Sequence, residues 1–165
     1  MAVAVESVST QTWQAVTDVG ASGEFTVTKP TGLQVGDTLL AVTTAHLTTT
    51  ITPPTGWTSI PITSSGNMTT RAFYKVADAD DVSASEYTFT TASDTTDYAY
   101  TCYRLSGVIT TQSPVVELDY DEQIISASTS VTDSISLGII NGTLLIGITN
   151  SLVGSTVSFA SFDVT

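Results

Sequence analysis

Apolar and polar residues alternate with a period of two over many segments of the chain, and no segment of helix length shows an amphipathic spacing. Alternation places apolar side chains on one face of an extended strand and polar side chains on the other. Thr, Val, Ile, Tyr and Phe dominate between the turn signals, and their branched or aromatic side chains suit a pleated sheet. The pattern predicts strands at Thr12–Val16, Glu24–Thr28, Thr38–Ala45, Thr58–Thr63, Thr69–Val76, Tyr87–Thr91, Tyr98–Leu105, Val115–Tyr120, Ser126–Leu137, Thr143–Thr149 and Val157–Val164.

About eleven short strands separated by turn signals are typical of an antiparallel β-sandwich or barrel. The chain of 165 residues fits one domain, with residues 1–12 as a candidate N-terminal arm. Pro61 breaks the Thr58–Thr63 segment and predicts an edge strand there, because proline cannot donate to a strand ladder. We therefore predict an all-β fold, an antiparallel β-sandwich without substantial helix.

Two of the predicted strands differ in their faces. From Ser126 to Ser136 every even position is a hydroxyl residue, and the odd positions are mostly apolar, which predicts one wet and one dry face. The Tyr98–Leu105 strand carries aromatic residues on both faces. We expect that strand to be covered on both sides, by the core and by a loop or a partner subunit.

The composition excludes several classes of partner and site but does not by itself identify a function. Thr and Ser account for 52 of 165 residues, and 16 acidic residues against four basic ones give a formal charge of −12. Four basic residues cannot neutralise many phosphates, which argues against nucleic acid and anionic membrane surfaces as partners. The single cysteine, Cys102, excludes an intrachain disulfide and a multi-cysteine metal site.

The sequence carries no evident targeting signal. The first residues lack a basic region, and their apolar run ends at Glu6, which is too short for a signal peptide. No run of 18 or so apolar residues is present that could span a bilayer. These features predict a protein made and folded in a reducing cytoplasm.

Four motifs occur in a characteristic order: a strand with its preceding turn, Pro30 to Ala41; a rigid loop, Pro53 to Trp57; the strand Arg71 to Ala77; and the strand Tyr87 to Thr90. This order resembles that of β-sandwich domains in structural proteins of tailed bacteriophages. The resemblance covers roughly residues 10–108 and implies a jelly-roll-like fold.

The same resemblance implies a role on the outer surface of a virion, as a capsid decoration (cement) protein, a head fibre or a tail fibre. Its implied partners are the major capsid protein or other virion proteins. It further implies a homo-oligomer that is made in the host cytoplasm, and trimers are common at such positions in that family. On this basis we expect a non-enzymatic decoration protein that binds and stabilises the outer shell.

Aromatic residues provide the candidate contact surface. Trp57 follows two prolines and a glycine that fix its approach, and it either plugs the end of the sandwich or presents its ring to a sugar. The predicted contact residues are Trp57, Tyr98, Tyr100 and Tyr103, with Met1–Thr12 as a further contact segment. A carbohydrate-binding or host-adhesion module at a fibre or tail, with Trp13 and Trp57 stacking on sugars, is the alternative function.

No residue set points to catalysis. His46 is the only histidine, and the sequence has no Gly-x-Ser-x-Gly nucleophile motif. The acidic clusters at 78–81 and 119–122 are adjacent in sequence, which is typical of solvated turns; Ca²⁺ ligation is the other interpretation. We therefore predict no catalytic residue, no bound cofactor and no firm metal site.

Overall fold

The computed structural model describes residues 3–15, 23–46, 50–60, 68–92, 97–108, 144–146 and 161–163. These residues form ten strands and one short helix. The strands are β1 (Ala4–Ala15), β2 (Glu24–Thr28), β3 (Thr38–His46), β4 (Ile51–Thr52), β5 (Thr58–Ile60), β6 (Met68–Val76), β7 (Glu86–Thr91), β8 (Asp97–Ser106), β9 (Leu144–Ile146) and β10 (Ser161–Asp163); helix α1 (Ala79–Ser83) lies between β6 and β7.

The strands pair into antiparallel sheets. A five-stranded sheet has the order β1-β8-β3-β6-β5, a three-stranded sheet has the order β2-β7-β4, and β9 pairs with β10. This confirms the prediction of an antiparallel all-β chain with almost no helix in the part that the structure describes. β5 lies at the edge of the five-stranded sheet, as the proline after it predicts.

The structure differs from the sequence predictions at the first strand and at one helix, and some predicted strands lie outside the described residues. The first strand begins at Ala4 instead of Thr12, so residues 4–12 are paired with β8 and do not form a separate arm. Helix α1 was not predicted. The predicted strands Val115–Tyr120 and Ser126–Leu137 lie outside the described residues, as does most of Thr143–Thr149 and Val157–Val164.

One apolar cluster draws on both larger sheets. The three-stranded sheet contributes alternate residues of β2 and β7 to it, and the five-stranded sheet contributes alternate residues of β3, β6 and β8. Burying these side chains on one face while polar ones face outward gives β2 its alternating exposure. Members from the strands include Phe25, Val27, Tyr87 and Phe89 from the smaller sheet and Leu39, Ala41, Phe73, Tyr100 and Cys102 from the larger one.

The five-stranded sheet is buried on its other face as well. A second cluster uses the intervening positions of β3, β6 and β8 together with one residue of β5: Leu40, Val42, Ala72, Tyr103 and Leu105, with Ile60 from β5. β8 therefore places Tyr100 and Cys102 in one cluster and Tyr103 and Leu105 in the other. This confirms that both faces of the Tyr98–Leu105 strand are covered.

β1 is an edge strand of the larger sheet and its pairing with β8 is irregular at two points. The register shifts between Val5 and Ser7 and again between Gln11 and Gln14, which are β-bulges. The Ser7 and Ser9 hydroxyls donate to the backbone carbonyls of Thr31 and Thr28, at the end of β2. These bonds tie the edge of the larger sheet to the end of the smaller one.

Candidate functional site

Most of the predicted contact residues are buried inside the chain. The exposed fractions of Trp57, Tyr100 and Tyr103 are 9%, 5% and 3%, so their ring faces are not available to a partner. Trp57 packs edge-on against Tyr87, with ring centroids 5.1 Å apart, as expected for a plug. Only Tyr98 is partly exposed. The two sheets use Trp57, Tyr100 and Tyr103 as core, so Tyr98 is the one of the four that a partner can reach, and the contact surface itself stays a prediction.

A buried ion pair closes the turn before β3. The Arg104 Nε on β8 donates to Asp37 Oδ2 over 2.6 Å, and the same carboxylate accepts the backbone N–H of Gln34 over 2.9 Å. Gly32 lies against the Arg104 guanidinium, where a Cβ would come within 2.9 Å of Nη1. Glycine at this position therefore lets the cation approach the backbone.

A second ion pair joins β6 to helix α1. The Lys75 Nζ lies 2.8 Å from Asp81 Oδ1 and 3.4 Å from Asp78 Oδ2. Asp78 caps the helix by accepting the backbone N–H groups of Asp80 and Asp81, and Asp81 Oδ2 accepts the N–H of Asp78 in return. This reciprocal arrangement is a capping box, built here from two aspartates.

Gly56 repeats the role of Gly32 at the second pair. It has a positive φ of 91°, and a Cβ there would lie 3.1 Å from Lys75 Cε. Backbone bonds between Gly36, Asp37 and Ala77 join the two ion pairs at one end of the molecule. We call this end, with Gly32, Asp37, Gly56, Lys75, Asp78, Asp81 and Arg104, the ion-pair end.

The environment of the ion-pair end changes three pKa values. Desolvation opposes the charge on Lys75, but the hydrogen bond and the charge of Asp81 outweigh it and raise the pKa of the amine. The backbone N–H of Asp81, together with Lys75, lowers the pKa of Asp78. Burial, with the nearby Asp81 charge, raises the pKa of the Tyr87 hydroxyl. The first two shifts favour the charged forms of the Lys75 amine and the Asp78 carboxylate.

The Asp78 to Asp81 cluster is a helix start, so the solvated-turn interpretation is incomplete. Asp78 and Asp80 are exposed, but Asp81 is buried and bonded to Lys75. Within the described ranges, no group of three or more His, Cys, Asp or Glu is arranged to hold a metal ion. The 119–122 cluster lies outside those ranges, and His46 lies at the end of β3, opposite Met68.

The outer face of the smaller sheet shows a repeat that the sequence analysis missed. β2 has the sequence Glu-Phe-Thr-Val-Thr and β7 begins Glu-Tyr-Thr-Phe-Thr. Antiparallel pairing sets Thr26 opposite Thr88, Glu24 opposite Thr90 and Thr28 opposite Glu86, which relates the strands by a local two-fold axis. The outward row of each strand is Glu-Thr-Thr. Two five-residue segments 62 positions apart are too short to attract attention before the pairing is known.

Comparisons with known proteins add no relative. No family model matches the chain, and searches of curated proteins and of solved structures likewise return no match. Among the described residues, no helix is long and apolar enough to cross a membrane.

Proposed function

We propose that the chain is a non-enzymatic structural protein of a tailed-phage virion, a decoration protein that binds and stabilises the outer shell. The observation that carries the proposal is where the residues of the motifs that resemble those phage domains lie in the fold. Gly32 and Asp37 of the first motif, Gly56 of the second and Lys75 of the third all build the ion-pair end, and Trp57 of the second packs against Tyr87 in the core. These motif residues thus form ion pairs and core contacts, which is a structural role.

The finer fold belongs to the same proposal. We infer a jelly-roll-like β-sandwich in which the five-stranded and three-stranded sheets face each other across the first apolar cluster. Its residues alternate along strands of both sheets, as the inner faces of a sandwich require. Two sets of contacts lie at the edges of this sandwich: the ion-pair end, and the hydrogen bonds that the Ser7 and Ser9 hydroxyls of β1 donate to the Thr31 and Thr28 carbonyls.

Surface charge favours an exterior position on the particle. All four basic side chains bond within the chain: Lys75 and Arg104 to carboxylates, Lys29 to the Val82 carbonyl and Arg71 to the Thr70 carbonyl. The net charge of −12 favours a position away from packaged nucleic acid, which it repels. Binding only the assembled shell stabilises that state by mass action.

The candidate contact strand is β1. Its alternate residues Ala4, Glu6, Val8 and Thr10 are exposed, and Val8 is one of four large apolar side chains with substantial exposure in the described part of the chain. β1 also lies at a sheet edge, where unpaired backbone groups can meet a partner strand. These properties support β1 as the contact strand of the proposed decoration protein.

The test is binding of the purified protein to virus particles assembled without it. We expect saturable binding and a higher temperature of particle disruption. Val8→Glu should weaken binding, and Val35→Glu, which changes an even more exposed valine in a loop, serves as the matched control. Absence of binding to such particles would reject the decoration role. Equal losses in both variants would reject β1 as the contact strand.

The alternative, a carbohydrate-binding adhesion module, loses its main argument because Trp57 is packed against Tyr87 and Phe89. A glycan array distinguishes the two functions. Selective binding of one glycan class would favour adhesion, and absence of glycan binding together with particle binding would favour decoration.

A further inference from the structure

Helix α1 is held to the molecule chiefly by charge. It has five residues, fewer than an isolated helix needs for stability in water, and its buried residue is Asp81. Its largest apolar side chain, Val82, is 36% exposed. The Lys75 ion pair with Asp81 therefore replaces the apolar anchor that usually fixes a surface helix.

The core aromatic residues lie next to this attachment. The Asp81 charge is close enough to Tyr87 to contribute to the raised pKa of its hydroxyl, and that hydroxyl is buried without a hydrogen-bond partner. Tyr87 packs edge-on against Trp57, and the Lys75 stem lies against Gly56, the residue before Trp57. Helix α1, Lys75 and the Tyr87–Trp57 pair are thus contiguous.

Charged and titratable groups reach α1 from β6, from β7, from the segment after β2 and from its own first turn. Lys75 faces it from β6 and Tyr87 from β7. Asp78 and Asp80 belong to its own first turn, and the Lys29 Nζ, after β2, donates to the Val82 carbonyl. In the described ranges, Lys75 is the cation that contacts the capping carboxylates. Protonation of those carboxylates therefore removes the main attraction between α1 and β6.

We propose that α1 is an acid-sensitive latch: protonation of Asp81 and Asp78 releases it from β6 while both sheets stay folded. Segments with few buried apolar contacts open before the core does. β3 is hydrogen-bonded on both sides, by β6 and β8, and it provides the internal reference for a folded sheet.

Amide hydrogen exchange of the full chain tests the latch. The Val82 and Ala84 amides donate to the carbonyls of Asp78 and Asp80, so their protection reports on α1. Between neutral pH and pH 3, we expect their protection factors to fall at least tenfold more than those of β3 amides. A parallel fall in α1 and β3 would overturn the proposal, because it would show global unfolding.

Substitutions separate the latch from general acid effects. Asp81→Asn should lower α1 protection at neutral pH about tenfold, as acid does in the wild type, with β3 protection unchanged. Asp80→Asn, on an exposed carboxylate that does not contact Lys75, is the matched control and should have no such effect. If Asp81→Asn does not fold, Asp78→Asn, which removes the charge but keeps an oxygen that can cap the helix, replaces it with the same expectation. Unchanged α1 protection in the folded variant would reject the latch.

Discussion

At the scale of single residues, two glycines with nearly the same backbone conformation have different surroundings. Gly36 and Gly56 have φ values of 92° and 91°, in the left-handed region that other residues adopt at a cost. An added Cβ would meet nothing within 4 Å at Gly36 but would lie 3.1 Å from Lys75 Cε at Gly56. Lys75 cannot easily move away, because its ammonium group is bound to Asp81.

We therefore expect Gly36→Ala to lower the free energy of unfolding by about 1–2 kcal/mol through backbone strain alone. Gly56→Ala should cost roughly 2–4 kcal/mol, since overpacking is added to the same strain. Urea denaturation of both variants measures the difference. Equal losses would show that the lysine stem yields freely.

Two buried tyrosines form a second pair for comparison. The Tyr100 hydroxyl accepts the backbone N–H of Thr28 over 3.0 Å, whereas the Tyr87 hydroxyl is buried without a partner. Tyr100→Phe should cost about 1 kcal/mol of unfolding free energy, and Tyr87→Phe should be neutral or stabilising, because it removes an unsatisfied group. Thermal unfolding of the two variants at pH 7 checks this order, and a larger loss for Tyr87→Phe would contradict it.

The same tyrosine predicts a pH dependence. Its folded-state pKa is raised above the ordinary value of 10.0, so the unfolded chain loses the proton first. The free energy of unfolding is therefore unaffected by this group below about pH 10 and falls as the pH rises further. Tyr87→Phe should make the decline between pH 9 and 11 shallower, as measured by urea titrations at fixed pH. An unchanged slope would show that Tyr87 is not the titrating group.

At the scale of elements, the ion pair between β6 and α1 predicts that removing one of its charges costs more stability than removing both. Asp81 is 3% exposed, so Lys75→Met leaves a buried carboxylate without its cation and should cost about 3–5 kcal/mol. The double variant Lys75→Met, Asp81→Leu removes both charges and should recover much of that loss. A double-mutant cycle at pH 7 measures the coupling. Additive losses would show that the two groups do not interact.

The sequence predicts those elements whose signals are local. The Gly36-Asp37 turn and the run of apolar and β-branched residues after it predict β3 within a residue, and the branched and aromatic residues of Thr69–Val76 predict β6 equally well. The part of β1 from Thr12 onward was predicted; the part before it was missed because its apolar residues Val5 and Val8 are three positions apart, which breaks the period of two, and its register with β8 shifts between Val5 and Ser7. Helix α1 was missed because five residues are too few to show a helical period, and its two-aspartate capping box resembles a charged turn.

The ion-pair end could be predicted only in its parts. The sequence places Gly36-Asp37, Gly56-Trp57 and Lys75 at turns and strand ends, and it identifies Trp57 as a plug or a sugar platform. It cannot show that Arg104, 67 positions after Asp37, lies beside that aspartate, because this depends on the pairing of β8 with β3. For the same reason, the sequence does not show that Trp57, Tyr100 and Tyr103 are buried, because their burial depends on the opposite sheet.

At the scale of the whole molecule, the unbalanced charge predicts a dependence on salt. With every basic side chain bonded inside the chain, the exposed carboxylates repel one another. Raising NaCl from 0.01 to 0.15 M shortens the screening length from about 30 to 8 Å and should raise the melting temperature. The double variant Glu24→Gln, Glu86→Gln, which removes two charges from the outer face of the smaller sheet, should reduce that rise. A melting temperature independent of salt would contradict the repulsion.

The order of strands in the larger sheet also constrains how the chain can be built. β8 is the last of its five strands to be synthesised, yet it lies between β1 and β3. Until residues 97–106 leave the ribosome, β1 has no neighbour in this sheet and β3 has one open side. Such distant pairings close slowly. The nascent chain therefore holds β1 unmatched until β8 has been made, and a chaperone that shields this strand should raise the yield of folded protein.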